Sequence, residues 1–253
     1  MSLFDANAWL GPWPFQRFPE DAAEGLARRL QAEGIARALV SPADAVFLSD
    51  PREADEAFLR ALGPFPFLYP VPVVNPACGN AADLIRRFAG EGVRAVRLLP
   101  SYQGLSADAP CMHRALEEAG RSGLLPVVQA RVEDERAQHT LCRIPGLDVG
   151  AAASLARAFP ELPVLVPCLY HPEAVRLLRE APNARVDIAY VERFRTLPTL
   201  LKEAPADRVL FGSHAPFLYV RAAVMKMQDP GIAPADLAAI GRGNLENLLA
   251  PRR

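Results

Sequence analysis

The 253 residues, 51% hydrophobic and 23% charged, are those of an ordinary globular protein, with enough apolar material for one large domain or two small ones. A net charge of −1 argues against nucleic acid or an anionic membrane surface as a partner, and no apolar run reaches the roughly 18 residues of a transmembrane helix. The start, MSLFDANAW, has no cationic segment ahead of an apolar stretch, so no signal peptide is expected. Cys78, Cys111, Cys142 and Cys168 are far apart and form no C-x-x-C pair, which suits reduced thiols in a cytoplasm.

Apolar runs of strand length alternate with helical stretches along the chain. In the first, LFDANAW (3–9), Leu3, Phe4, Ala6 and Ala8 are apolar, while Asp5, Asn7 and Trp9 fall at every second position. These three share a face too polar for an ordinary core. Residues 21–34 follow as an amphipathic helix, with Leu26, Ala27 and Leu30 on one face and Gly34 as its stop. RALVSP (37–42) and FLYPVPVVN (67–75) are the next strands, and 80–92 is a helix capped by Asn80, with Leu84 and Phe88 on its apolar face. Then come the strand AVRLLPS (95–101), a helix over 111–123, and the strands LPVVQAR (125–131) and PVLVPCL (163–169). A helix over 171–180 with Pro172 in its first turn and the strands ARVDIAY (184–190) and RVLFGSH (208–214) complete the series. The tail, 234–253, reads as one or two closing helices.

Eight apolar strands separated by helices predict a parallel sheet closed into a (β/α)8 TIM barrel, one domain over 1–253, near the typical length of about 250 residues. An open doubly wound sheet is the rival, but no glycine-rich phosphate loop follows the first strand; GPWPFQRFP has prolines where backbone donors would be needed.

In such a barrel the chemistry sits at the C-terminal ends of the strands. The polar residues there are Asp5, Asn7 and Trp9; Arg97 with the loop SYQG that carries Tyr102; Gln129 and Arg131; Cys168 and His171; Asp187 and Tyr190; and Ser213 and His214.

FDANAWLG resembles the D-x-H-x-H-x-G opening of the amidohydrolase superfamily, in its amidohydrolase-related branch. GVRAVRLLPSYQGL, LPVVQAR, LPVLVPCL, DRVLFGSHAPF and IGRGNLENLLA are similar to further segments of that branch, in the right order from residue 4 to residue 250. The resemblance implies a metal-binding barrel in which two histidines of the first strand, one each of the fifth and sixth, and an aspartate of the eighth hold a divalent ion. Here those positions are Asn7, Trp9, Gln129, Cys168 and His214. Neutral amides bind zinc poorly and Trp offers no lone pair, so no metal or other cofactor is expected, a divalent ion such as zinc being the disfavoured alternative.

His214, in place of the family's proton-handling aspartate, is the candidate acid or base near neutral pH; the alternative is a histidine hydrogen-bonded into the barrel mouth. Arg97 and Arg131 are positioned to clamp a carboxylate, or else pair with Asp5 or Asp187, and the deeper Arg97 is the better candidate for such internal pairing. Asn7, Gln129 and Tyr190 either orient a substrate carbonyl or form a polar plug. Cys168 is a nucleophile beside His171 or a buried inert thiol; with His171 and His214 as a zinc site it lacks a carboxylate. Trp9, Trp13 and Phe15 wall a pocket or pack as a lid or subunit contact, and His113 and His139 read as surface residues. The first functional reading is a metal-independent hydrolase of a small anionic carbonyl compound, a lactone or amide, or a related decarboxylase or hydratase. The second is a non-catalytic barrel that binds a small ligand or a protein; homo-oligomerisation stays open.

Overall fold

Strand and helix alternate through eight turns of a closed barrel in the computed structural model, which describes residues 2–19 and 21–250. The last three residues of the tail reading, 251–253, lie outside them. The strands are β1 (Leu3–Leu10), β2 (Ile35–Pro42), β3 (Leu68–Pro70), β4 (Ala95–Leu98), β5 (Leu125–Val128), β6 (Val164–Val166), β7 (Ala184–Asp187) and β8 (Val209–Leu210). A helix follows each in turn: α1 (Ala23–Ala32), α2 (Arg52–Leu62), α3 (Ala81–Gly90), α4 (Pro110–Arg121), α5 (Val149–Arg157), α6 (His171–Glu180), α7 (Thr196–Leu200) and α8 (Val220–Lys226). Every strand pair is parallel, in the order β1-β2-β3 and β4-β5-β6-β7-β8.

Two seams join these runs. Val74 N–H donates to Arg97 O (2.9 Å) and Arg97 N–H to Pro72 O (2.8 Å). Between β8 and β1, Ala6 N–H donates to Phe211 O (2.9 Å), His214 N–H to Asn7 O (2.7 Å) and Trp9 N–H to Ala215 O (2.7 Å). Inside the barrel Phe4, Ala6, Leu39, Ala95, Val127 and Leu165 pack together. Leu245 joins them from α10 (Asn244–Leu249), which continues through a π-turn from α9 (Pro234–Ala238) and closes the tail as expected.

The strands are shorter than the apolar runs. The run 67–75 pairs with β2 over β3 and Val71 and then with β4 through Val73 and Val74, its ladder interrupted where Pro70 and Pro72 have no N–H to donate. Cys168 (φ +63°) and His214 (φ +55°) adopt left-handed backbone, which ends extended pairing and turns both side chains off the strand path. Asn80 precedes α3, but its side chain makes no cap bond; Asp148 does cap α5, accepting from Ala151 N–H at 2.7 Å. Gly34 (φ +79°) follows α1, where the left-handed stop was expected.

Asp5 stitches the β8–β1 seam from within. Its Oδ1 accepts the Asn7 N–H (3.0 Å) and the Ser213 N–H (2.9 Å), and its Oδ2 takes the Ser213 hydroxyl, all without solvent exposure. Asp5→Ala strands two buried N–H donors and should lower stability by roughly 2–4 kcal/mol in urea unfolding. Asp5→Asn, which keeps one acceptor, should lose less; equal losses would show that the carboxylate does not hold the seam.

Candidate functional site

Asn7 lies at the centre of the strand ends, and its neighbours dictate its orientation. Arg97 can only donate, and its Nη1 gives a hydrogen bond to Asn7 Oδ1 at 2.9 Å. The Asn7 amide nitrogen therefore faces the other way, donating to Asp187 Oδ2 and Cys168 Sγ, both at 3.0 Å, and lying 3.1 Å from His214 Nδ1. Arg97 Nη1 also donates to Gln129 Oε1, and Gln129 Nε2 passes a bond on to Arg131 O at 2.6 Å. The Trp9 ring packs against the guanidinium, 4.3 Å from Cζ to the ring centre.

The tautomer of His214 follows from partners of fixed polarity. The Val132 carbonyl only accepts, so Nε2 carries the proton and donates to it at 2.6 Å. Trp9 Nε1–H only donates, so Nδ1 is the acceptor at 3.2 Å, and the Cys168 thiol lies 3.2 Å from the same nitrogen. Cys168 N–H in turn donates to Asp187 Oδ1 at 2.8 Å. Asn7, Trp9, Arg97, Cys168, Asp187 and His214 are all completely buried.

Burial governs the charges here. It lowers His214 to about 3, with Arg97 adding to the effect, so the imidazole is neutral across the physiological range. A histidine titrating near neutral pH, the sequence expectation, is not what this closed site holds. Burial, aided by Asp187, raises the Cys168 thiol well above its ordinary value, so it keeps its proton. Burial raises Asp187, and raises Asp5 to about 7 against the donors from Ser213 and Asn7. Burial lowers Arg97 to about 10, which leaves it charged at neutral pH. Its Nε and Nη2 have no hydrogen-bond partner.

The two arginines reverse the expected roles. Arg131 is the internally paired one: Nε donates to Glu135 (3.1 Å), Nη2 to Glu173 (2.9 Å) and Nη1 to Cys168 O, while its guanidinium lies 4.0 Å from the Tyr170 ring centre. Tyr170 completes this rim, its hydroxyl donating to Glu135 at 2.6 Å and its N–H to Glu173 at 2.8 Å. Arg97 makes no direct ion pair with Asp5 or Asp187; the Asn7 amide stands between it and Asp187.

His171 is not brought to the cluster. It begins α6, hydrogen-bonds Glu203 at 3.2 Å and lines an outer groove with Arg176, Arg179 and Arg193. The imidazole beside Cys168 is therefore His214, and the trio Cys168, His171 and His214 does not assemble. Cys168, Asp187 and His214 meet at the Asn7 amide nitrogen, and among the described residues no group of three His, Cys, Asp or Glu side chains is arranged to hold a metal ion.

Aromatic rings roof the cluster. Phe217 stacks on His214 (5.1 Å) and meets Trp13 (4.9 Å); Tyr190 meets His214 edge-on (5.4 Å). Trp13 continues to Phe47 (5.0 Å), which meets Tyr102 (5.8 Å), and its Nε1 donates to Glu133 at 2.9 Å. Phe15 stacks on the exposed His139 at 5.6 Å, and His113 is half-buried against Phe159, away from the site. Phe47, Phe217 and the carboxylates around Arg131 were not singled out in the sequence. Phe217 closes the segment DRVLFGSHAPF and was the one within reach; Phe47 belongs to a short turn with no periodic signal.

The sequence matches the family model described as amidohydrolase over residues 55–249. No curated protein matches it significantly. Among solved structures, it is similar to 2,6-dihydroxybenzoate decarboxylase from Rhizobium, with a TM-score of 0.74 and 15% identity over 98% of each chain. A dihydroxybenzoic acid decarboxylase from Polaromonas sp. JS666, with bound manganese and the inhibitor 2-nitroresorcinol, matches with a TM-score of 0.75 and 16% identity over 98% of this chain and 96% of that one. A probable 2-pyrone-4,6-dicarboxylic acid hydrolase from Acinetobacter baumannii, with citric acid bound, matches with a TM-score of 0.68 and 13% identity over 98% and 99%. At these identities the likeness is one of fold, and it supports the (β/α)8 barrel.

Two outcomes follow from the charges. In the unfolded chain His214 takes a proton below its ordinary 6.5, in the folded chain only near 3, so its burial costs stability as pH falls through that window. The difference in melting temperature between wild type and His214→Gln should therefore narrow between about pH 7 and pH 4; a constant difference would mean an imidazole that titrates normally. Arg131→Ala, which unpairs two carboxylates, should cost roughly 2–3 kcal/mol in urea unfolding, and no loss would place Arg131 outside the rim network.

Proposed function

The chain belongs to the amidohydrolase family, and within it we propose a metal-independent hydrolase of a small anionic carbonyl compound, a lactone or amide bearing a carboxylate, held by Arg97. The observation that carries this reading is the free edge of a buried guanidinium. Nε and Nη2 of Arg97 have no acceptor, and buried donors are seldom left so. They are the side-on pair of the guanidinium, spaced to meet both oxygens of a carboxylate in two parallel bonds. Nη1 is already tied to Asn7 and Gln129, which aims that edge rigidly. Three of the ligands and substrates named for the neighbours, 2,6-dihydroxybenzoate, 2-pyrone-4,6-dicarboxylic acid and citric acid, are carboxylates, and the fourth, 2-nitroresorcinol, carries a nitro group in place of one.

The residues present do not fit a divalent cation. Both amide oxygens that face the centre already accept from Arg97, Trp9 has no lone pair to offer, His214 Nδ1 accepts from Trp9, the Cys168 thiol keeps its proton, and Asp187 accepts from Asn7 and the Cys168 N–H. This donor chemistry supports metal independence. Hydrolysis then needs a base for the attacking water, and the proposal gives that role to neutral His214, whose Nδ1 must exchange the Trp9 N–H it accepts in the closed site for the water's proton. Asn7, Gln129 and Tyr190 orient the carbonyl, with Trp9, Cys168 and Tyr102 as further walls. His171 and Arg131, one in an outer groove and the other fully paired, support the site from outside it. Because the cluster is wholly buried, Trp13, Phe47 and Phe217 must part to admit substrate.

A second reading, a barrel that binds without turnover, has its own support. Asn7, Trp9, Gln129, Cys168, Asp187 and His214 all find partners within the cluster or on its backbone, as in a structural plug.

Small carboxylates such as benzoate and citrate should raise the melting temperature saturably, while benzamide and other neutral amides should not. Arg97→Lys keeps the charge but loses the fork, so it should weaken carboxylate binding about 10-fold. Equal shifts from acids and amides would refute the carboxylate site. Carboxylate binding with no turnover of any lactone, amide or acid in a broad panel would favour the second reading.

A further inference from the structure

Five side chains at the strand ends, Asn7, Trp9, Gln129, Cys168 and His214, stand at the positions where the family resemblance expects metal ligands. All five are gathered around one group. Arg97 bonds Asn7 and Gln129 and lies on the Trp9 ring, and the Asn7 amide carries the connection on to Cys168 and His214. We infer that the Arg97 guanidinium is a tethered cation that does the organising work of a divalent metal in this barrel, its charge delivered by β4 rather than captured from solution.

The partners suit a guanidinium and not a metal ion. Neutral amide oxygens accept N–H bonds well, and an indole face binds a planar, weakly hydrated cation. The counter-charge comes from Asp187, one amide away through Asn7, with Asp5 at the adjoining seam. A divalent ion added beside Arg97 would set three positive charges against at most two carboxylates at a fully buried site, where like charges repel strongly. The inference deepens the metal independence of the preceding reading and rests on it, but it makes a claim of its own. The cation is required for the side chains around it to hold together, whatever the substrate is.

Chemical rescue tests that claim without any turnover. Arg97→Ala empties the centre and should melt roughly 6–20 °C below wild type, the range for leaving buried charges unpaired in a chain of this size. Guanidinium chloride at about 20 mM, far below its denaturing range, should raise the melting temperature of Arg97→Ala saturably while urea, its neutral analogue in shape, does not. Wild type should gain nothing from guanidinium, manganese or zinc and should retain no metal after gel filtration. If guanidinium and urea act alike on Arg97→Ala and wild type still binds no metal, the tethered-cation inference is overturned and the metal-independent reading stands. If wild type retains one equivalent of manganese or zinc with a rise in melting temperature, both fall. Should Arg97→Ala fail to fold, Arg97→Lys against Arg97→Met decides: the charged variant should melt higher, and the reverse order overturns the inference.

Discussion

A guanidinium without water around it must be answered from inside the protein, and at the mouth of this barrel that demand arranges the rest. Removing Arg97 from solvent costs several kcal/mol, so its neighbours have to offset the loss with hydrogen bonds and charge. Asn7 does so through a relay. Its oxygen accepts from Arg97, and its nitrogen then has no choice but to face Asp187, Cys168 and His214. One planar amide thus links the cationic and anionic halves of the site, and its orientation follows from the fact that Arg97 only donates.

Around this centre the fold builds two further shells with different chemistry. Arg131 forms a rim with Glu135, Glu173 and Tyr170 that ties the segments after β5 and β6 together and gives each nitrogen of the guanidinium an acceptor. Over the top lie Trp13, Phe47 and Phe217, Trp13 meeting Phe217 edge to face and Phe47 at a tilt, with Phe47 partly open to solvent and Trp13 nearly closed off. Flat rings packed this way exclude water without needing polar partners, and that dryness is what holds His214 neutral and Cys168 protonated. The same dryness strengthens whatever bond Arg97 makes at its free edge.

Under the proposed function, this chain differs from a metal-binding barrel in where its charge is placed. A barrel that gathers histidines and a carboxylate around a captured ion depends on supply of that ion. Here the cation arrives with the backbone of β4, and the side chains around it are amides, an indole, a thiol and a neutral imidazole. The proposed function draws on what this arrangement offers, an anion-facing edge on Arg97 and a neutral imidazole at His214.

The sequence by itself determines the barrel. Runs of Val, Leu and Ile of strand length, separated by stretches with apolar residues at helical spacing, leave a parallel closed sheet as the consistent solution, and α1, α3, α4 and α6 lie within two residues of where that pattern puts them. It also determines which residues reach the mouth, because alternation along β1 sends Asp5, Asn7 and Trp9 the same way, and strand ends name Arg97, Gln129, Cys168 and His214. What it leaves open is how those residues pair. Arg97 and Arg131 both come from the mouth-ward parts of neighbouring strand runs, and nothing in the sequence names a partner for either. Only the tertiary structure put Glu135 and Glu173 around one and left the other with two unpartnered donors. His171, three residues from Cys168 in the chain, turned outward with the first turn of α6, while His214, far away in sequence, came within 3.2 Å of the thiol. Pairing and protonation depend on which strand neighbours which around the closed ring and on how much water the aromatic roof excludes, and neither is a property of residues adjacent in the chain.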